Sequence, residues 1–451
     1  MIKVIHLDFW EHFVDINDND TFKFLDWSKV NNRSFQTSKE RFCYRKKVKG
    51  DSYTLATDYF VGVDWLIKGQ VSLSVAPKVN ISFVPNFQEE AIVDTKFMAK
   101  FPVIQKELNY LKMLSICMEL PDVSKELANL LFIDWTVPEI SITQDRDHLS
   151  PMLIVQFIHL LKRIVKKGLK KSYYKIEENL SSKVKGKILI GSNLRQNILK
   201  NRLTNTKCSF QEYGIDSEEN RFLKKVLSFC LNYIDHNKTV FGDLFPVLKL
   251  NSSFCRPYFN NISDMPGDRT LEDLKQNVFY REYKDAIRLG GVILKRFGYN
   301  ITCTTGTYIK TPPFWIDMPR LFELYVYAKL LKVFPKKGEV LFQFSTYGNS
   351  LDFLINSEFV KMIIDAKYKL AYTDSHVHQD IRQVSGYARL KKVYDELKIS
   401  DDRLLDCLII HPDFSSKDEL SWVDIKEVKP YKRIYKLGIA LPLYAIKKSI
   451  N

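Results

Sequence analysis

The sequence lacks the long apolar runs that mark membrane and exported proteins. No run approaches the roughly 18 uninterrupted apolar residues that span a bilayer, and the best candidate, PMLIVQFIHLLKRIV, is broken by Gln156, His159, Lys162 and Arg163. The N-terminus acquires charge at Asp8, too early for a secretion signal. We therefore expect a cytoplasmic protein with no membrane partner.

Cysteine is scarce, and no nucleotide-binding loop is present. The chain has seven cysteines, an odd number with no CxxC pair, which argues against a disulfide framework and a structural zinc site. They are Cys43, Cys117, Cys208, Cys230, Cys255, Cys303 and Cys407. No GxxxxGK[ST] segment occurs, so we expect no nucleotide to be bound by this chain itself.

What the chain does have is length and positive charge. At 451 residues with 45% hydrophobic and 27% charged residues, it is typical of a soluble protein with two or three domains. Its net charge of +15 favours polyanionic partners, because contacts to phosphates release condensed counterions. Charge alone leaves the question open, since many basic proteins bind no specific anion.

The pattern of apolar residues changes along the chain. Residues 59–67 and 70–79 alternate as strands, with Lys68 and Gly69 between them as a hairpin turn. From about residue 101 the spacing becomes helical, over 101–132 and 151–167. We predict an N-terminal β-rich module followed by a helical layer.

The middle of the chain carries a helix signal, a basic stretch and a break. Asp216 with Glu219 predicts a capping box at the start of a helix. Residues 166–197 are rich in lysine, and we interpret them either as a surface that follows a phosphate backbone or as a solvated connection. Turn residues near 250–270 predict a boundary. The predicted domains are therefore a β-rich docking domain at 1–100, a helical region at 101–270 and a third domain at 271–451.

The last third predicts a helix followed by a β-hairpin. Asp317 is placed as an N-cap with Pro319 in the first turn, and Glu323 lies on the helix that follows. Residues 340–356 and 358–370 are interpreted as two strands joined by a polar turn.

A carboxylate and an ammonium lie on one face of the second strand. Side chains alternate along a strand, so Asp365 and Lys367 point the same way. If the hairpin brings Asp352 alongside, two carboxylates converge and require a cation, for which Mg²⁺ with its preference for oxygen ligands is suited. Lys367 would orient or deprotonate an attacking water and neutralise the charge that builds on the phosphate. The alternative is an ordinary surface ion pair.

A helix predicted at 380–392 follows the strand. Gln383 and Tyr387 are four residues apart and therefore neighbours on one helix face. His376 and His378, in a predicted turn, have a spacing that could hold a transition metal, although an exposed or DNA-contacting loop is simpler.

The order of Glu323, Asp352, Asp365-Ala366-Lys367 and Gln383-x-x-x-Tyr387 resembles the RecB-like branch of the PD-(D/E)xK nucleases. Four further segments are similar to McrC, the nuclease subunit of McrBC-type restriction systems. They are LSVAPKV (73–79), GLKKSYYKIEENLSSKVKGKI (168–188), NRLTNTKCSFQEYGIDSEENRFLKKVL (201–227) and DMPRLFELYV (317–326). The resemblance covers roughly residues 55–451, with Leu351 where the family name has proline.

The resemblance implies a mixed α/β multidomain protein whose C-terminal nuclease core has a central mixed sheet flanked by helices. It implies a Mg²⁺-dependent DNA endonuclease that acts in defence against foreign DNA, which is often methylated. The resemblance further implies that Asp352 and Asp365 are metal ligands and that Lys367 is the catalytic lysine. Glu323 would be an acid near the metal. Gln383 and Tyr387 would support the site or touch double-stranded DNA.

The implied partner is a hexameric AAA+ GTPase of the McrB type, which the N-terminal region would contact and stimulate. Two other interpretations stay open from the sequence. One is a non-cleaving subunit that docks on the GTPase and activates it, and the other is a stand-alone RecB-like nuclease.

Overall fold

The structure is a computed structural model of the chain. It describes residues 5–10, 25–35, 41–49, 52–77, 108–143, 146–264, 281–297, 308–369, 374–400, 403–413, 425–429 and 431–444.

The strands, in chain order, are β1 Ile5–Trp10, β2 Arg33–Ser34, β3 Phe42–Lys49, β4 Ser52–Thr57, β5 Phe60–Ile67, β6 Val71–Ala76, β7 Leu131–Ile133, β8 Ile140–Thr143, β9 Ser172–Ser181, β10 Lys187–Ile188, β11 Asn205–Gly214, β12 Tyr308–Thr311, β13 Phe314–Asp317, β14 Val340–Thr346, β15 Asn349–Asn356, β16 Lys361–Ala366, β17 Asp406–Pro412, β18 Lys426–Glu427 and β19 Ile434–Ile439.

The α-helices are α1 Tyr110–Glu119, α2 Pro121–Lys125, α3 Leu149–Lys167, α4 Ile190–Gln196, α5 Glu218–His236, α6 Lys238–Phe241, α7 Phe245–Cys255, α8 Arg281–Arg296, α9 Met318–Val333, α10 Asp374–Tyr387 and α11 Lys391–Leu397. Short 3₁₀ turns lie at Glu126–Asn129, Ile198–Lys200, Gly242–Leu244 and Arg256–Phe259.

The chain divides into two compact units. Unit 1 is formed by Met1–Met152 together with Thr307–Asn451, and unit 2 by Leu153–Gly306. The mixed α/β multidomain class predicted from the sequence is confirmed. The three-part division at 1–100, 101–270 and 271–451 stays a prediction.

The N-terminal part of unit 1 is built on a five-stranded sheet in the order β1-β6-β5-β13-β7. The predicted hairpin is confirmed, since β5 pairs antiparallel with β6 and Gly69 adopts a φ of +72° in the turn. Alternate residues Val71, Leu73 and Val75 are buried in the core, which also holds Trp315 of β13. The prediction of helix up to residue 132 was wrong at its end, because β7 begins at 131 and pairs with β13.

The C-terminal part of unit 1 is a six-stranded mixed sheet in the order β14-β15-β16-β17-β19-β18. The strands β14, β15 and β16 are antiparallel neighbours, whereas β16, β17 and β19 pair parallel. Residues of α10 and α11 form a core cluster with one face of the sheet. Phe342 and Phe353 pack on Tyr327 of α9 on the other face.

Two predictions about these elements were wrong in detail. Residues 340–356 form two strands rather than one, because Tyr347 and Gly348 both adopt positive φ values and reverse the chain between β14 and β15. The predicted helix at 380–392 is interrupted, since α10 ends at Tyr387 and α11 begins at Lys391. The predicted hairpin between β15 and β16 is confirmed.

Unit 2 contains the predicted middle helix and a three-stranded sheet in the order β10-β11-β9. The buried face of α5 includes Phe222 and Tyr233. The predicted capping box was wrong, because Ser217 is the N-cap and accepts from the Asn220 amide, while Asp216 pairs with Arg221. Ser217 directly precedes the first helical residue, Glu218, and so occupies the position from which a side-chain oxygen reaches the free amides of the first turn.

Each cysteine among the described residues is free and buried, while Cys303 lies outside them. Within the same residues, every helix is too short or too polar to cross a membrane.

Candidate active site

Two carboxylates meet where β15 and β16 diverge. The last paired residues of these strands are Phe353 and Ile364, and one further step of this register places Asp352 across from Asp365. The Ala366 amide does not take part in the backbone pairing of β16 with β15 and instead donates to the side chain of Asp352, at Oδ2, over 2.8 Å. The end of the hairpin therefore opens and presents both carboxyl groups on one face of the sheet.

The predicted lysine joins the carboxylates to α10. Lys367 Nζ lies 2.9 Å from Asp365 Oδ2 and donates to Gln383 Oε1 at 3.0 Å. Gln383 Nε2 in turn donates to the Tyr387 hydroxyl at 2.7 Å. The structure thus connects Asp352, Asp365, Lys367, Gln383 and Tyr387, which the sequence singled out.

The carboxyl groups lie in an environment that favours their neutral forms. Asp365 is only 1% exposed, and burial raises its pKa although Lys367 acts in the opposite direction. The pKa of Asp352 is raised well above its usual value by burial and then by the charges of Asp365 and Glu323. Two acids with raised pKa values side by side are typical of a site that binds a cation.

Lys367 has the opposite electrostatic environment. Burial alone would lower its pKa, but the neighbouring carboxylates, Asp365 first, raise it above the ordinary value. Within the described part of the chain, Asp365 Oδ2 accepts no hydrogen bond of regular geometry, although the ammonium lies 2.9 Å away. The buried oxygen therefore has an ion pair and retains capacity for a further ligand.

Glu323 lies near this group on α9. Its carboxylate pairs with Arg320 at 3.1 Å, and Arg320 also contacts Glu126 at 3.2 Å. Burial raises the pKa of Glu323, and the charges of Asp317 and Asp365 act in the same direction. Among the described residues no group of three or more His, Cys, Asp and Glu side chains is arranged to hold a metal ion. A role for Glu323 as a ligand stays a prediction.

One ion pair beside the site was not predicted from the sequence. Lys369 Nζ contacts both carboxylate oxygens of buried Asp380, at 3.0 and 3.2 Å. A signal existed, because Lys369 continues the alternation of Asp365 and Lys367, and Asp380 lies three residues before Gln383 on the same helix face. The pair joins the end of β16 to α10.

The two histidines lie in α10 rather than in a turn. His378 Nδ1 lies 3.0 Å from the Tyr431 hydroxyl, whereas the side chain of His376 lies outside the described residues.

The family of the chain follows from comparison with known proteins. A family model described as "McrBC 5-methylcytosine restriction system component" matches residues 66–396, which is more than half of the chain. The chain belongs to this family. The predicted resemblance to McrBC-type systems is confirmed, and each predicted site residue of this McrBC component lies inside the matched range.

Two solved structures are similar to this McrBC component. One is a half-complex from a tetradecameric assembly of Thermococcus gammatolerans McrB AAA+ hexamers with bound McrC, with 15% identity, a TM-score of 0.38, and coverage of 96% of this chain and 94% of that chain. The other is the Thermococcus gammatolerans McrBC complex, with 17% identity, a TM-score of 0.30, and coverage of 74% and 89%. Both TM-scores are below 0.5. No curated protein matches the chain.

Proposed function

We propose that this McrBC component is a Mg²⁺-dependent DNA endonuclease subunit of the PD-(D/E)xK type. The observation that carries the proposal is the pairing of partly buried Asp352 with fully buried Asp365, with Lys367 Nζ at 2.9 Å from the second carboxylate. A surface ion pair, the simpler alternative, would be exposed and would not need a second acid held against it, whereas Asp365 is 1% exposed and lies across from Asp352. The family membership supports the same reaction.

The residues fit a magnesium ion. Asp352 and Asp365 offer oxygen ligands, both pKa values are raised, and one buried oxygen lacks a regular hydrogen bond among the described residues. These two carboxylates would hold the ion, which when bound would supply Lewis acidity at the scissile phosphodiester.

Lys367 then acts as a fixed cation rather than as a base. Its raised pKa keeps the Nζ protonated at neutral pH, so it donates hydrogen bonds and neutralises charge that develops on the phosphate. Gln383 and Tyr387 restrict the position of this ammonium through the 3.0 and 2.7 Å hydrogen bonds. Asp352 is oriented by the Ala366 amide.

The proposed partner is a hexameric AAA+ GTPase of the McrB type, which would recognise and translocate double-stranded DNA. Unit 2 offers a surface for it, because several large apolar side chains between residues 173 and 213 are strongly exposed. They are Tyr173, Val184, Ile190, Leu199, Leu203 and Tyr213, each between 62% and 79% exposed. Residues 1–100 stay the predicted docking domain, and we propose the unit 2 surface as a second contact.

Cleavage is tested with Asp365→Asn in the complex with its GTPase, in the presence of GTP, Mg²⁺ and methylated plasmid DNA. We expect at least a ~1,000-fold loss of cleavage, because the variant removes charge from the metal pair. Asp235→Asn is the matched control, since Asp235 also pairs with a lysine, Lys249 at 2.6 Å, outside the site. Equal cleavage by Asp365→Asn and wild type would contradict the endonuclease proposal.

The same preparations separate the alternatives. A complex that stimulates GTP hydrolysis but never cleaves DNA would favour the non-cleaving docking subunit. Full cleavage by the isolated chain would favour a stand-alone nuclease.

The docking surface is tested with Leu203→Asp. Leu203 is 77% exposed, so the variant should keep its stability and lose at least about tenfold in affinity for the GTPase. Leu404→Asp, at a residue 60% exposed in unit 1, is the control. Unchanged binding of Leu203→Asp would remove this surface from the proposal.

A further inference from the structure

Gln343 has an unusual backbone for a residue inside a strand. It lies in β14 with a φ of +50°, a left-handed conformation that side chains other than glycine and asparagine rarely adopt. The neighbouring pairs Phe342–Phe353 and Phe344–Leu351 leave Gln343 opposite Asp352. Strain of this kind persists where the surrounding structure imposes it, and it is concentrated at functional sites.

The left-handed residue changes which face of the sheet the strand presents. In a regular strand Phe342 and Phe344 would share a face. Here Phe342 stacks on Tyr327 of α9 with ring centroids 4.6 Å apart, whereas Phe344 packs against the core cluster on the α10 and α11 face. Because Phe342 and Phe344 lie on opposite faces of the sheet, the Gln343 side chain between them is exposed, next to Asp352 in the register.

Gln343 lines a cavity of about 530 Å³ in unit 1. The polar side chains around it include Arg41, Asn129, Asp317, Arg320 and Glu323. Because Gln343 lines the cavity and lies opposite Asp352 in the register of β14 and β15, the cavity adjoins the proposed metal pair.

The charges of the cavity disfavour a phosphate group. Arg41 pairs with Asp317 at 2.5 Å and Arg320 with Glu323 at 3.1 Å, and Asp58 adds a third carboxylate to the lining. The carboxamides of Gln343 and Asn129 offer one donor group and one acceptor each, which suits the edge of a nucleobase.

The cavity also offers a stacking surface. The Arg41 guanidinium lies over the Phe35 and Phe60 rings at 5.4 and 5.2 Å, and its side chain is 48% exposed. A guanidinium plane supported in this way can take a base by stacking.

We propose that this cavity binds a nucleobase of the DNA strand beside the scissile phosphodiester, with the Gln343 carboxamide hydrogen-bonded to the base edge. The inference rests on the proposed nuclease function and deepens it by naming the part of the substrate that is recognised. Gln343 is then a substrate-binding residue next to the reacting group.

The test uses Gln343→Gly, which removes the carboxamide and relieves the left-handed backbone. The melting temperature should not fall, because glycine adopts positive φ freely. The matched control is Lys398→Gly, since Lys398 has a φ of +52° at the end of α11, outside the cavity lining. A lower melting temperature for Gln343→Gly alone would contradict the strain on which the inference depends.

Binding is measured by fluorescence anisotropy with the full chain and Ca²⁺ in place of Mg²⁺. The probes are a single-stranded oligodeoxyadenylate and a base-free deoxyribose-phosphate oligomer of equal length. Wild type and Lys398→Gly should prefer the base-bearing probe by about tenfold, the scale of one stacked and hydrogen-bonded base. Gln343→Gly should lose most of that preference.

Two results would overturn the inference. Equal binding of both probes by wild type would mean that the backbone, not a base, is recognised. An unchanged preference in Gln343→Gly would mean that Gln343 does not contact the base. The variant Asp365→Asn distinguishes a failure of the base-binding inference from a failure of the proposed nuclease function. It should lose cleavage and keep the preference for the base-bearing probe.

Discussion

Replacement of Asp352 by asparagine should stabilise the metal-free protein while abolishing DNA cleavage. Asparagine keeps the shape of the side chain, and its carbonyl oxygen can still accept the Ala366 amide that donates to Asp352 Oδ2 at 2.8 Å. What the variant removes is the negative charge held against Asp365 and Glu323. The free energy of unfolding therefore reports on the electrostatic repulsion alone.

The size of the expected stabilisation follows from the register of β15 and β16, which places Asp352 across from Asp365. Side chains directly opposite in an antiparallel pair are about 5 Å apart, and two like charges at that distance repel by about 3 kcal/mol at an effective dielectric constant of about 20. Lys367, 2.9 Å from Asp365, offsets part of this repulsion. We expect a net stabilisation of about 1–2 kcal/mol near pH 8 in the presence of a chelator.

The stability difference between wild type and Asp352→Asn should depend on pH in one direction only. Because the pKa of Asp352 is raised in the folded state, the folded protein binds more protons than the unfolded chain above the ordinary value of 3.8. The stability of wild type therefore falls as pH rises through the folded-state pKa, and the advantage of Asp352→Asn grows over the same range. Near pH 4 the two proteins should be almost equally stable.

Urea unfolding at pH 4, 6 and 8 measures the effect, with and without Mg²⁺. Mg²⁺ at about ten times its dissociation constant should stabilise wild type by about 1.4 kcal/mol and the variant by much less. The control is Asp352→Ala, which leaves the Ala366 amide without its acceptor and should destabilise by about 1–3 kcal/mol. Two results would refute the reasoning. One is an Asp352→Asn protein that is less stable than wild type at pH 8, and the other is a difference in the free energy of unfolding that does not change with pH.

Three further predictions concern the neighbouring residues and the N-terminal sheet. Lys367→Met should lower cleavage at least ~100-fold, because the fixed cation is lost, while gel-shift assays show DNA binding close to wild type. Asp380→Asn leaves Lys369 without its carboxylate partner, at 3.0 Å, and should destabilise by about 1–3 kcal/mol in urea unfolding; an unchanged midpoint would argue against the pair. Gly62→Ala would place a Cβ 2.0 Å from the Phe314 carbonyl oxygen, so calorimetry should report a loss of about 1–3 kcal/mol, and wild-type stability would show that the two strands can separate.

Much of the local structure could be predicted because it depends on neighbouring residues. The N-cap at Asp317 and the hairpin turn at Gly69, with its φ of +72°, are consequences of side-chain chemistry and backbone freedom at single positions. Errors arose where alternatives compete within a few residues. Ser217 caps α5 in place of Asp216, and the Tyr347–Gly348 turn divides a stretch that was interpreted as one strand.

The candidate site was predictable as a set of residues but not as an arrangement. The hydrogen bonds from Lys367 through Gln383 to Tyr387 agree with the helical spacing of the last two. The ion pair of Lys369 with Asp380 and the left-handed Gln343 were missed. Strand alternation and helical spacing placed Lys369 and Asp380 on candidate faces, but only contacts between different elements brought them together. The backbone of Gln343 has no signal in the sequence pattern.

The sequence by itself determined that Asp365 and Lys367 share a face, because side chains alternate along any strand whatever surrounds it. Only the tertiary structure decided that Asp352 lies against them, since the pairing of β15 with β16 and its end at Ile364 are set by hydrogen bonds across the sheet. The tertiary structure also decided how strongly these acids resist ionisation. Burial is the largest cause for both acids, and for Asp352 the charges of Asp365 and then of Glu323, on the sequence-remote helix α9, raise the pKa further.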